Sequence, residues 1–351
     1  MVTDNMETKL LDDSAESIEI AADILKNGGL VAFPTETVYG LGGDALRPEA
    51  SKKIYAAKGR PSDNPLIVHI ADVESVNELA VDISDSARHL MEAFWPGPLT
   101  IILKKKEVVP SETTGGLDTV AIRMPSHPAA MELIRKSGVY IAAPSANTSG
   151  RPSPTTAQHV VEDMNGRIDA IIDGGPVGIG IESTIVDMTG EVPTILRPGY
   201  ITKRMLEEIV GEVEIDKAII EPDPNLRPKA PGMKYTHYAP AGILTIIEDK
   251  AEPGKVTENV VREINRRAAE KEKTAILTTE DNAHLYQAEN IILLGKEGDG
   301  KTVAARLYSA LRECDALGIE YIFSESYYRD ELGGAIMNRL LKAAGHRVVK
   351  V

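Results

Sequence analysis

Ile54-Tyr-Ala-Ala-Lys58-Gly59-Arg60-Pro61-Ser-Asp-Asn64-Pro65-Leu66-Ile-Val-His69-Ile70 reads as a helix end, a polar loop and a buried strand. Gly59 suits a helix stop, because glycine tolerates the positive φ of the position after the last turn. Pro61 and Pro65 hold the connection extended and stiff. Leu66 to Ile70 is an apolar run of strand length, and His69 interrupts it where an aliphatic residue would be ordinary. Two fixed cations and a histidine therefore lie within twelve residues on a rigid connection. Loops of this kind on α/β scaffolds bind anions.

The same alternation of helix, loop and strand runs outward in both directions. Ser14 to Asn27 carries apolar residues at helical spacing and ends at Gly28-Gly29. Leu30 to Phe33 is a short strand. Pro34-Thr35-Glu-Thr37-Val-Tyr-Gly40-Leu-Gly-Gly43 follows, either a turn with hydroxyls capping the backbone or a floor where backbone approaches a ligand. Pro48 starts a helix to Ala57. Amphipathic helices are expected over about 72–80 and 84–94, then strands at Leu99–Leu103 and Thr119–Pro125. The second strand carries Arg123, and a buried arginine needs a carboxylate or phosphate partner. Val139–Ala143 is a strand that empties into a loop rich in hydroxyls and amides, 144–154, where open α/β sheets place ligands. Glu182-Ser183 opens a strand with a polar start, and Arg197 ends another.

Residues 221–240 hold five prolines, which makes them a semi-rigid linker. Beyond it, strands and helices alternate as in a small parallel-sheet domain. The predicted division is 1–211, a linker at 212–240, and 241–351.

Composition narrows the function. A net charge of −14 argues against nucleic-acid binding through a global field. A single cysteine, Cys314, rules out an internal disulfide, and the seven histidines show no metal-ligand spacing. No run reaches the roughly 18 apolar residues of a membrane span. A cytoplasmic protein is expected. There is no Walker motif, no Ser-His-Asp pattern and no G-x-G-x-x-G after a strand. What remains is four cations, Lys58, Arg60, Arg123 and Arg197, among hydroxyl and amide side chains near strand ends. That set suits the neutralising and positioning of a polyphosphate.

Lys58-Gly-Arg60 with Ser145-Ala-Asn147, together with Phe33-Pro-Thr-Glu-Thr-Val-Tyr-Gly-Leu-Gly42 and Ala143-Pro-Ser-Ala-Asn147, resembles the signatures of the YrdC-like domain. Pro231-Gly-Met-Lys-Tyr-Thr-His-Tyr-Ala-Pro240 and the C-terminal domain resemble the long, two-domain form of the threonylcarbamoyl-AMP synthase family. The resemblance spans nearly the whole chain. It implies a twisted open α/β sheet domain followed by a smaller Rossmann-like α/β domain. It implies a nucleotidyltransferase that makes L-threonylcarbamoyladenylate from L-threonine, bicarbonate or CO2 and ATP, releasing pyrophosphate. The product would serve N6-threonylcarbamoyladenosine in tRNA, passing to a KEOPS-type transferase machinery.

Carried over by motif position, Lys58, Arg60, Asn64, Thr119, Ser145, Asn147, Ser153 and Arg197 would contact ATP. Thr37, His69, Arg123, the backbone of Ala143, and Ser183 would contact threonine, with Arg123 matched to its carboxylate. For Thr119, Ser153 and Asn64 a turn or cap role is the alternative. Tyr235, His237 and Tyr238 would form a lid. No protein metal cage is expected, and Mg2+ would arrive with the triphosphate. The alternatives are an RNA-binding factor, disfavoured by the acidic charge and scarce aromatics, and a carbamoyl transferase, whose usual accessory modules this chain lacks.

Overall fold

A computed structural model describes residues 7–220, 228–231, 237–328 and 330–351, the side chain of residue 220 excepted. The chain divides into two units, Met1–Ser149 with Ser153–Gly178 and Glu182–Lys234, and Tyr235–Val351 with Gly150–Pro152 and Ile179–Ile181.

The first unit is built on a mixed sheet of twelve strands. In chain order they are Lys9–Asp12 (β1), Val31–Phe33 (β2), Gly40–Asp44 (β3), Ile67–His69 (β4), Ala80–Val81 (β5), Leu99–Lys105 (β6), Thr119–Arg123 (β7), Ile141–Ala142 (β8), Ala170–Asp173 (β9), Thr184–Asp187 (β10), Thr194–Arg197 (β11) and Glu214–Ile215 (β12). They lie side by side as β1-β9-β2-β3-β8-β4-β7-β6-β10-β11-β12, with β5 paired to β6.

Helix ends follow their local chemistry. Ser14 accepts a hydrogen bond from Ser17 N at the start of helix Ala15–Lys26, and Ile18, Ala21, Ala22 and Leu25 bury its apolar stripe. Helix Pro48–Lys58 has proline in its first turn and stops at Gly59, whose φ is +62°.

Period-two alternation gives the central strands two different faces. Val68, Ile101, Leu103, Val120 and Ile122 point into the main core. The opposite face carries Ile67, Ile102, Ala121, Ile185 and Leu196, a small apolar patch on which the linker residue Ala230 is fully buried.

The structure adds β1, which the sequence reading did not include, places β12 and a short helix, Lys217–Ile220, within the span expected as linker, and departs from the reading in two further places. The glycine-rich segment after Tyr39 is a strand, β3, inserted between β2 and β8. What approaches its backbone is protein: a Cβ on Gly42 would lie 2.7 Å from Ile141 Cγ2 and 2.8 Å from Phe33 Cε1. The helix expected over 72–80 is a 3-10 turn, Val73–Ser75, and a four-residue helix, Val76–Leu79. The chain then becomes β5, because Lys104 and Lys105 extend β6 past its apolar run and offer Ala80 and Val81 a partner.

The second unit holds a five-stranded parallel sheet: Ile243–Glu248 (β13), Thr274–Thr278 (β14), Asn290–Leu293 (β15), Tyr321–Ser324 (β16) and Val348–Lys350 (β17), ordered β15-β14-β16-β13-β17. Helices Glu258–Ala269, Gly300–Ala316 and Gly333–Ala343 connect and cover it. Its core includes Ile247, Val260, Ile264, Ile276 and Phe323. Within this unit Arg312 donates to Pro152 O at 2.7 Å. A Cβ on Gly180 would lie 2.4 Å from Ala304 O, so only glycine fits there.

Candidate active site

Alternation along β7 sets the site. Thr119, Ala121 and Arg123 share one face while Val120 and Ile122 enter the core. In the parallel pairing of β4 with β7, His69 stands beside Arg123, and on the other side Ile101 faces Ile122. Register partners project to the same face, so His69, Arg123 and Thr100 lie in one row at one end of three neighbouring strands.

Hydrogen bonds fix Arg123 and Thr100 of that row to neighbouring segments. Arg123 Nη1 donates to Thr37 Oγ1 at 3.0 Å, and Thr37 Oγ1 lies 2.9 Å from Thr35 Oγ1. Arg123 Nη2 donates to Glu36 Oε1 at 2.5 Å, and Ser126 N donates to the other carboxylate oxygen at 3.1 Å. Thr100 and Ser183 hydroxyls are 2.7 Å apart. Arg197 donates from Nε to Ser183 O at 3.0 Å and from Nη2 to Ser183 Oγ at 3.1 Å. Thr37, His69, Arg123 and Ser183, expected for one substrate, thus occur together. Arg197, expected with the nucleotide set, joins them through Ser183. Ala143 follows β8 and donates its N–H to Ile67 O at 2.9 Å, beside the His69 strand.

The electrostatics of the row are asymmetric. Burial raises the Glu36 carboxyl, but the adjoining Arg123 guanidinium outweighs it and holds the group below its usual range. Burial, and then the neighbouring Arg123 charge, push His69 down to about 3, so it is neutral. Its Nδ1 lies 3.1 Å from Ile67 O. In the tautomer that donates there, Nε2 is an acceptor.

The second group lies on the loop 58–65 and on 144–154. Buried Lys58 donates from Nζ to the carbonyls of Ser145 and Asn147. Ser149 N donates back to Lys58 O at 2.9 Å. The Ser145–Asn147 turn is therefore fixed to the end of helix Pro48–Lys58. It is also pinned to β3 by Leu41 N to Pro144 O at 2.8 Å and Ala146 N to Tyr39 O at 2.8 Å. Arg60 turns back on its own loop, donating to Pro65 O at 3.1 Å and to Asn64 O at 3.4 Å. Asn64 is 1% exposed, and among the described residues its side-chain carbonyl oxygen has no partner. A buried acceptor left unpaired costs about 1–3 kcal/mol unless a ligand donates to it. Ser153 donates to Glu182 Oε1 at 2.6 Å, and Glu182 adjoins Ser183 in sequence, which links the two groups. Thr119 stands at the other end of β7, four residues or roughly 13 Å from Arg123 on the same face.

Sequence reasoning missed Glu36, Thr100 and Glu182. Arg123 was expected to need an anionic partner; Glu36, lying between two threonines already singled out, is that partner within the protein. Thr100 gave no signal, because threonine is an ordinary strand residue. Of the expected lid residues, Tyr235 lies outside the described residues. His237 and Tyr238 belong to the second unit, their rings 5.5 Å apart, with Tyr238 stacked 5.1 Å from Tyr308. Among the described residues no cluster of three acidic, histidine or cysteine side chains could hold a metal ion.

Two family models match the chain. One, described as Telomere recombination and including the YrdC proteins, covers residues 23–199. The other, described as Threonylcarbamoyl-AMP synthase, C-terminal domain, covers 201–345. The threonylcarbamoyl-AMP synthase of Bacillus subtilis is 48% identical over 350 residues, covering 99% of this chain and 97% of that protein. Its namesake in Pyrococcus abyssi is 47% identical over 334 residues, covering 95% and 96%. The crystal structure of a Pyrococcus abyssi relative complexed with L-threonine superposes with a TM-score of 0.90 at 45% identity, covering 98% of this chain and 99% of that one. On these matches, in both units and over nearly its full length, the chain belongs to the threonylcarbamoyl-AMP synthase family.

Proposed function

We propose that this enzyme condenses L-threonine, bicarbonate or CO2 and ATP into L-threonylcarbamoyladenylate and pyrophosphate, supplying N6-threonylcarbamoyladenosine formation in tRNA. The observation that carries the reading is the group formed by Thr37, Arg123, His69, Thr100 and Ser183, linked through Glu182 and Ser153 to the 144–154 loop, whose Ser145 and Asn147 carbonyls take the Lys58 ammonium.

In this reading the threonine amine takes up bicarbonate as a carbamate, with loss of water. A carbamate oxygen then attacks the α-phosphorus; the new O–P bond forms as the bond to the pyrophosphate oxygen breaks. Arg123, permanently charged and planar, takes the threonine carboxylate, and Glu36 fixes its orientation. His69 accepts a hydrogen bond at Nε2. A group held neutral to about 3 is a weak base, so His69 positions the substrate rather than removing its proton. Lys58, Arg60 and Arg197 offset the charge of the phosphates, Ser145, Asn147, Ser153 and Thr119 orient the nucleotide, and Asn64 Oδ1 accepts a donor from it. Mg2+ is part of the substrate, held by the phosphates and water. Ala230 walls the apolar part of the site and helps keep water from the labile anhydride. The product passes to a tRNA-modifying transferase of KEOPS type.

Product identification tests the reading. With carbon-13 bicarbonate and nitrogen-15 threonine, mass spectrometry is expected to find both labels in one adenylate. An adenylate containing threonine but no bicarbonate carbon would overturn it.

A further inference from the structure

The C-terminal unit has its own crevice. In the order β15-β14-β16-β13-β17, the chain leaves β14 toward β15 at one edge, and leaves β16 toward β17 at the other. Adjacent parallel strands whose connections part in this way open a gap beyond their carboxyl ends, where open α/β sheets bind ligands. The first residues past those ends are Thr279 after β14 and Glu325 after β16. Both are 2% exposed, and both line one recess. It offers about 30 Å³ to the centre of a water-sized group, and about 360 Å³ with its open mouth included.

The chemistry in this recess is incomplete. Thr279 Oγ1 is buried and, among the described residues, has no hydrogen-bond partner. Glu325 accepts hydrogen bonds from the Thr278 hydroxyl and, at 3.4 Å, from the Asn282 amide, and the Tyr286 hydroxyl also faces it, but these donors are all neutral, and among the described residues no cation reaches it. Burial raises its carboxyl to about 6, so at neutral pH it is mostly an unpaired buried anion. Among the described residues, Glu297, Asp299 and Asp330 line the mouth against one cation, Lys296. Phosphate, the usual guest of a Rossmann-like crevice, is poorly served: Gly300 N, at the start of helix Gly300–Ala316, already donates to the Asp330 carboxylate.

We propose that this crevice binds a small organic cation, its primary ammonium donating to the Glu325 carboxylate and to Thr279 Oγ1. The ammonium head is the size of a water molecule, supplies the missing charge and satisfies the orphan hydroxyl. The proposal is independent of the chemistry of the first unit.

Ethanolammonium chloride is a suitable probe, because it lacks the carboxylate that Arg123 would take. Titrated into the full chain by calorimetry or saturation-transfer NMR, it is expected to bind saturably with a dissociation constant near ~1 mM. Glu325→Gln should weaken binding at least about tenfold, and Thr279→Val, nearly isosteric and harmless to folding, about threefold or more. Sodium phosphate should not compete. Equal binding by all three proteins, no saturable binding by the wild type, or competition by phosphate would overturn the proposal.

Discussion

His69 makes the electrostatic argument measurable. Its folded pKa of about 3 lies below the ordinary histidine value of 6.5. Between these values the unfolded chain binds more protons, so stability rises with pH at up to about 1.4 kcal/mol per unit. The contribution is complete above pH 6.5 and lost progressively below it. His69→Gln should flatten denaturation free energy against pH between about 4 and 6.5; an unchanged slope would mean that His69 is not buried neutral. Arg123→Ala would leave Glu36 beside a vacated guanidinium, a loss of about 3 kcal/mol by analogy with buried pairs. Denaturant titration reads that loss, and Arg123→Lys should not restore threonine KM, because an ammonium cannot present a planar fork. Arg60→Ala should mainly raise the KM for ATP, and His69→Ala that for threonine; equal effects on both would remove the division between the two groups. Arg123 and His69 were legible because polar side chains interrupt apolar strands. Glu36, Thr100 and Glu182 were not, since their importance arises from pairings set by strand register, which a single sequence does not display.

The element that matters most is the β4-β7-β6 ribbon, whose alternation separates a core face from a site face. The segment 119–123 shows this pattern in the sequence: Thr, Ala and Arg on one side, Val and Ile on the other. The strand β3 was less legible, because three glycines in four residues resemble a turn until Phe33 and Ile141 are seen filling the space above them. β5 was hidden for a related reason: two residues with ordinary helical neighbours are strand only because β6 runs on beside them. At the loop scale, Gly115 has φ of +59°, and a Cβ there would lie 2.9 Å from Asp63 O in the cationic loop. Gly115→Ala should cost about 1–2 kcal/mol from its left-handed backbone alone. It should also displace Asn64 and raise the KM for ATP. A Tm unchanged within a degree, with normal ATP kinetics, would show the loop to be more yielding than this.

Across the whole molecule, the division into two α/β units was readable from the proline-rich stretch and the renewed βαβ rhythm. The seating of Ala230 on the site face was not readable, because proline spacing marks a linker without saying what it covers. On the proposed function, that seating would give the linker a part in the chemistry. Replacing residues 230–240 with a Gly/Ser segment should raise ATP hydrolysis or cut product yield; wild-type kinetics would leave the linker a tether only. On the proposed function, the open face brings threonine and ATP together for a single reaction. The most direct measurement is pyrophosphate release from ATP with each component omitted in turn. Release should require both L-threonine and bicarbonate and fall to background without either; equal release without threonine would contradict the account.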